Sequence, residues 1–372
     1  MVFRPWRNHE RVRSCTGDIA RKNFHVFDIK ADASPSGILD KTMAFRFERG
    51  ESVFGALKRV VCEEIEAAGD GLSGGGKTSR DEAIHEARKS IKKVRAVLRL
   101  VRRKEDDAYS IENARLRDIA GRLSGFRDDV AIVETLDDLT DKYKDEAGPD
   151  KLRSVHAGLT KQRDEAGREE RIGGVLHAAA AALREVSKRL KIWSPGAKGY
   201  RAIAPGLERS YRSGRKALAR ARKDPRPENF HELRKRVKDH WYHVRLLEDL
   251  WSLEDRLSLE ERWSRDMSAR ETHLKHLETW LGNDHNLVVL QGRIVAAPSC
   301  FGHEKDVGLT LRLIGKYRNE LRGKAIPLAE RVYDGKPREF SRHMKHLWDS
   351  WEAAVAKAQS KKQAHKKKKE AA

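Results

Sequence analysis

His85-Glu86-Ala87-Arg88-Lys89-Ser90-Ile91-Lys92 and His231-Glu232-Leu233-Arg234-Lys235-Arg236-Val237-Lys238 are one pattern written twice, at a constant offset of 146 residues. The same offset aligns Arg99 with Arg245. A match that keeps both apolar and basic positions points to an internal duplication. At about 100° per residue, His85, Arg88, Lys92, Arg95, Arg99 and Arg102 share one arc, and Ile84, Ala87, Ile91, Val94, Leu98 and Val101 fill the adjoining one. Each copy is therefore predicted to be a helix with a packed face bordered by a basic rail. The second copy sets Phe230, Leu233, Val237, Val244 and Leu247 beside His231, Arg234, Lys238 and Arg245, interrupted by Trp241 and Glu248. Like charges at this spacing repel by a few tenths of a kcal/mol per pair. Drift would scramble a merely solvated face, yet here the cations are repeated in register.

Outside the repeat, the chain is helical in period from Ser52 onward, with breaks where Gly and Pro gather. Helices are predicted over 52–68, 80–104, 112–144, 150–167 and 169–192, then 200–222, 228–251, 255–281, 284–296, 304–334 and 337–358. Strand signals are nearly absent, so the fold is read as all-α. Its domain plan is a weakly ordered extension over 1–42, a first helical half over 43–194, a second over 195–358, and a disordered lysine-rich tail over 359–372. Met43 is a candidate start, and Met43 to Ser52 alternates like a short strand before a helix cap at Ser52.

Lys and Arg total 78 against 57 Asp and Glu, a net charge of +21 over 372 residues. The segment 356–372 holds seven lysines and one glutamate, so +15 remains on the body. Such a charge predicts a polyanionic partner. Cys15, Cys62 and Cys300 lie too far apart for a disulfide framework or a cysteine zinc site, which fits a reducing cytoplasm. No run of 18 apolar residues occurs, and Arg4, Arg7, Arg11 and Arg13 interrupt any signal-peptide core. No membrane partner is expected.

Catalytic and metal signatures are incomplete. His85 and His231 are followed four positions on by Lys89 and Lys235, where a zinc-binding H-E-x-x-H would need histidine. His240 and His243, His273 and His276, and His343 and His346 are pairs without an accompanying carboxylate or cysteine cluster in a recognisable pattern. Gly71-Leu72-Ser73-Gly74-Gly75-Gly76-Lys77-Thr78 formally fits a phosphate-binding loop but follows a helical segment rather than a strand. No catalytic residue, metal or cofactor is assigned. Further basic candidates are Lys58 and Arg59 in the first half and Arg209, Arg212 and Lys216 in the second, which could wall a groove whose floor is the histidine helix. Downstream, Gly125-Phe126-Arg127-Asp128-Asp129-Val130 is echoed by Gly282-Asn283-Asp284-His285-Asn286-Leu287, and both read as helix N-caps.

The two His-x-x-Arg-Lys-x-x-Lys helices, these downstream echoes and the opening Phe47-Glu48-Arg49-Gly50-Glu51-Ser52-Val53 resemble the CHAD family, the conserved histidine α-helical domains, over about residues 44–358. The resemblance implies two helical bundles related by pseudo-twofold symmetry, with a basic groove or cavity between them that binds inorganic polyphosphate. It implies His85, Arg88, Lys89, Lys92, Arg95, Arg99, His231, Arg234, Lys235, Lys238 and Arg245 as binding residues. Trp241 departs from the pattern, standing where the first copy has Arg95. The expected activity is non-enzymatic polyphosphate binding, with location at polyphosphate granules. Two alternatives stand beside it. One is phosphoanhydride hydrolysis, as in the tunnel domains that CHAD domains often accompany, although Glu64-x-Glu66 is followed by Ala68 where their Glu-x-Glu-x-Lys signature needs lysine. The other is general nucleic-acid binding through the tail, although the 7% of aromatic residues do not punctuate the rail as base stacking would require.

Overall fold

The first histidine helix begins where Ser79 accepts the Glu82 backbone N–H at 3.3 Å, with Asp81 and Glu82 favourably placed in the positive first turn. It runs as α2 over Arg80–Val101, and its six predicted apolar positions are all buried. Burial extends further: Ala96, Val97 and Leu100 are also inaccessible. The end of α2 is thus enclosed on nearly every side. A fully buried Leu or Val contributes roughly 1.5–3 kcal/mol of transfer free energy, so this end anchors the fold.

The computed structural model describes residues 45–48, 50–74, 79–102, 107–147, 152–166, 169–192, 197–248 and 258–370. These belong to one compact unit spanning 43–372; the extension over 1–42 and the candidate start at Met43 lie outside the described residues. The remaining helices are α1 (Val53–Leu72), α3 (Asp107–Arg122), α4 (Ser124–Lys142), α5 (Lys144–Ala147), α6 (Arg153–Ala166), α7 (Glu169–Ile192), α8 (Ala204–Lys223), α9 (Pro227–Leu246), α10 (Ser258–Ala296), α11 (Glu304–Val332) and α12 (Pro337–Glu370). No strand occurs among the described residues, and the fold is all-α.

Packing centres on the two histidine helices. α2 lies against α1, α3, α8 and α9, while α9 lies against α8, α10 and α2. α9 starts with Pro227 at its first turn, where the missing N–H costs nothing. At Gly206, α8 crosses α2 so closely that a Cβ would sit 1.6 Å from the Leu100 carbonyl oxygen, so only glycine fits. Arg209, one turn on, donates to the carbonyls of Arg99 and Arg102 at 3.3 and 2.7 Å and satisfies the end of α2.

Two apolar clusters form the core, and each draws on both halves of the chain. The larger joins α1, α2, α3 and α7 to α8, α9, α12 and parts of α10 and α11. The smaller joins Ile132, Val133 and Leu136 of α4 to Leu287, Leu290 and Ile294 of α10 and to α6 and α11. The expected separation into two bundles is thus not mirrored in separate cores.

Five local expectations change. The predicted single helix over 112–144 breaks at Leu123, whereas the predicted break near 282 is absent and α10 runs unbroken for 39 residues. Neither echo is a side-chain N-cap: Gly282 lies inside α10, and Leu123 precedes α4 without a side-chain cap. Phe45 and Phe47 belong to no strand; Phe47 donates its backbone N–H to Leu246 at 2.9 Å and both rings are buried, clipping this segment to α9. Finally, the tail predicted to be disordered continues α12 to Glu370, with 371–372 outside the described residues.

Candidate functional site

Both rails meet at the amino-terminal parts of α2 and α9. Lys92 keeps an exposed side chain although much protein surrounds it. Burial and then the positive charges of Lys238, Arg88 and Arg234 push its pKa down to about 7, with Glu278 acting in the opposite direction. The charges that act on Lys92 therefore come from both copies of the repeat. Burial also lowers the pKa values of Arg234 and Lys238, and the charge of Arg88 acts on Arg234.

The rail arginines dock beside or on the downstream echoes. Arg88 Nη1 donates to the Ser124 carbonyl at 3.3 Å, at the start of α4. The guanidinium of Arg234 lies against α10 at Gly282, where a Cβ would stand 3.4 Å from Nη2. The walls facing the rails are thus α4 and α10. α1 and α8, the walls expected from sequence, also pack against the histidine helices, α1 on α2 and α8 on both.

Counter-charges decide which cations remain available. Lys238 Nζ lies 2.6 Å from the buried carboxylate of Glu278, and Lys275 lies 3.8 Å from the same group. Desolvation would raise the Glu278 pKa, but Lys238 and Arg234 outweigh it, so the carboxylate is held ionised below its usual range. Arg99 is committed to Asp239 of α9 at 2.7 Å. Arg95 donates to Asn113 Oδ1 at 3.0 Å, and burial followed by Arg99 pushes its pKa down to about 10. Arg95 and Arg99 are thus sewn into the contacts of α2 with α3 and α9.

Trp241 does not leave its part of the second rail without cations. Lys275 Nζ stands 4.8 Å and the Arg245 guanidinium 5.1 Å from its ring centroid, favourable cation–π geometry. Arg245 also lies 3.8 Å from Glu271. Lys275 was not a sequence candidate, since nothing local to α10 marks it.

Other candidates are placed differently. Lys89 and Lys235 are exposed and pair along their own helices with Glu86 at 3.0 Å and Glu232 at 2.5 Å. His85 is exposed, whereas His231 is half-buried and its ring lies tilted against that of His285 of α10, with centroids 4.2 Å apart. Burial, then Lys235 and Arg234, lowers the His231 pKa. Lys58 lies over Phe54 at 5.9 Å, and Arg59 is held by Glu51 at 2.7 Å, Glu63 at 3.1 Å and the Arg46 carbonyl at 2.9 Å. Arg209 finishes α2, Arg212 pairs with Glu208 on α8, and Lys216 is exposed there. None of these five figures among the strongest charges acting on Lys92.

His240 and His243 are fully enclosed; His243 Nε2 contacts the Ala96 carbonyl oxygen at 2.8 Å and locks α9 to α2. No group of three or more metal-ligating side chains occurs among the described residues. Gly71 and Leu72 form the last turn of α1, and 75–78 lie outside the described residues, so the loop-like fragment follows a helix. No helix of the described residues is long and apolar enough to cross a membrane.

Chemically, these side chains bring together guanidinium and ammonium donors suited to oxyanions, since guanidinium forks match phosphate oxygens and ammonium groups follow them. Compared with models of protein families, the chain matches the CHAD domain over residues 74–295, more than half its length. No match is found among curated proteins.

Proposed function

The chain belongs to the CHAD family, and on that premise we propose that it binds inorganic polyphosphate in the recess between the paired rails, without catalysis. The observation that carries this reading is the convergence of Arg88, Lys92, Arg234 and Lys238, whose mutual repulsion already lowers the proton affinity of Lys92. Cations held this close gain most from a flexible chain carrying a charge on every phosphate. Their neutralisation releases counterions from that chain, as it does from nucleic acids. Arg88 and Arg234 supply forked donors, while Lys92 and Lys238 supply ammonium groups that can follow a mobile ligand. Glu278, the carboxylate acting on Lys92, is already occupied by Lys238, so it suits charge balance better than proton abstraction.

On this reading the protein is recruited to polyphosphate granules. The test is titration of the full chain with long-chain polyphosphate over a range of salt. Four phosphate contacts predict a log–log slope of roughly −3, at about −0.7 per contact. Labelled RNA displaced only by a large excess of polyphosphate would favour nucleic-acid binding, and release of orthophosphate would favour a hydrolase.

A further inference from the structure

We propose that the cavity lined by α8, α10, α11 and α12 is a second anion site, which takes a small phosphate-bearing ligand such as pyrophosphate. It is separate from the rail recess and does not depend on the polyphosphate reading. Two of its four walls, α11 and α12, lie beyond residues 74–295.

The cavity has a volume of about 600 Å³, ample for a small solvated anion. Its floor is rigid. Tyr211 and Phe340 stack at 4.6 Å, and the Arg270 guanidinium lies over both rings at 5.6 and 5.2 Å while donating to the Val332 carbonyl. Arg270 is thereby fixed, and its charge cannot swing away from the cavity. Arg331 and Arg342 line the exposed side, with His273, His343 and His346 and the carboxylates of Asp266, Asp334 and Glu339 beside them.

The field acting on the imidazoles is positive. Burial, followed by Arg270 and His346, pushes His343 down to about 4. Burial, then Arg331, His276 and Arg270, lowers His273. Both rings are therefore neutral at pH 7, although cationic side chains surround them.

Three carboxylates, Asp266, Asp334 and Glu339, line the same walls, but none is among the charges that act on the His343 or His273 ring. Glu339 accepts the Lys336 backbone N–H at 2.8 Å at the start of α12. The charge of Asp266 acts on Arg270, and that of Asp334 acts on Tyr211. A phosphate entering between Arg331, Arg342 and the imidazoles would reverse the field at His273 and His343. It would draw protons onto them, turning both rings into charged donors.

The experiment is imidazole NMR of the full chain over pH 4–8, with and without inorganic pyrophosphate. The expected result is an upward shift of about one pKa unit at His343 and His273, with His343→Gln used to assign the resonance. The shift should persist in Lys92→Ala/Arg234→Ala, which impairs the rail recess. It should be lost, with affinity reduced about tenfold, in Arg331→Ala/Arg342→Ala; both side chains are exposed, so that variant is expected to fold. A nucleoside monophosphate giving the same shifts at lower concentration would identify an ester as the better source of the phosphoryl group. Unmoved histidines, a shift indifferent to the two arginines, or a shift lost with the rail variant would overturn the proposal.

Discussion

Arg99 of α2 and Asp239 of α9 form an ion pair at 2.7 Å that ties the two copies of the repeat together. Asp239 stands where the first copy has Lys93, which instead reaches Glu64 of α1 at 2.5 Å. The duplication thus kept its basic register while one position changed sign. At that position one copy carries a cation bound to α1 and the other the carboxylate that joins α9 to α2.

Asp239→Ala should therefore destabilise the protein while sparing polyanion binding. The pair is partly buried, so its loss should cost about 1–3 kcal/mol, between the values for exposed and fully buried pairs. Chemical denaturation should show the lower midpoint. Polyphosphate affinity should stay level or rise, because Arg99 is released from its carboxylate.

Lys92 predicts a pH dependence whose sign follows from its depressed pKa. Its ordinary value is 10.5 and its value in the folded protein is about 7. Across that window the unfolded chain binds more protons, so the Lys92 contribution to stability rises with pH and is least favourable below 7. Bound phosphate favours the ammonium form, so binding takes up a proton above pH 7. Affinity should fall as pH rises past 7, by at most about tenfold per unit. Calorimetry in buffers of different ionisation enthalpy should detect the uptake. Lys92→Arg should abolish both the uptake and the slope.

Glu278→Gln removes the carboxylate from the recess with little change in shape. Lys238 and Arg234 lose their counter-charge, which should cost about 1–3 kcal/mol of stability. Polyphosphate affinity should rise about tenfold, equivalent to about 1.4 kcal/mol, because the ligand no longer competes with an internal anion. Thermal melting and a binding titration on the same preparation should show the opposite trends.

Gly206→Ala tests the crossing of α8 over α2. Ala is the better helix former, yet its Cβ would fall 1.6 Å from the Leu100 oxygen. The two helices must separate, costing about 3 kcal/mol through overpacking. A stability unchanged from the parent would show that this crossing is not as close as described.

The packed faces of α2 and α9 were legible in sequence because apolar period and burial coincide at Ile84, Ile91, Phe230 and Leu233. The fate of the cations was less legible. Arg88 and Arg99 occupy the same arc, but the partner that removes Arg99 from the open rail lies 140 positions away. Glu278 and Lys275 enter from α10, and no local motif announces a side chain whose role depends on how a distant helix packs. The glycine echo is visible in sequence, but that Gly282 lies inside a helix and against the Arg234 guanidinium depends on how distant helices pack. In the tail, lysine and alanine favour helix as strongly as their charge and polarity suggest disorder, and helix prevails through Glu370.

The most direct test compares polyphosphate binding by the parent and by Arg88→Ala/Lys92→Ala/Arg234→Ala/Lys238→Ala over a salt series, with helicity checked by circular dichroism. The variant is predicted to remain helical, to lose at least a hundredfold in affinity and to show a clearly shallower salt slope. A folded quadruple variant with the parent's affinity and slope would contradict the assignment of the paired rails as the binding site.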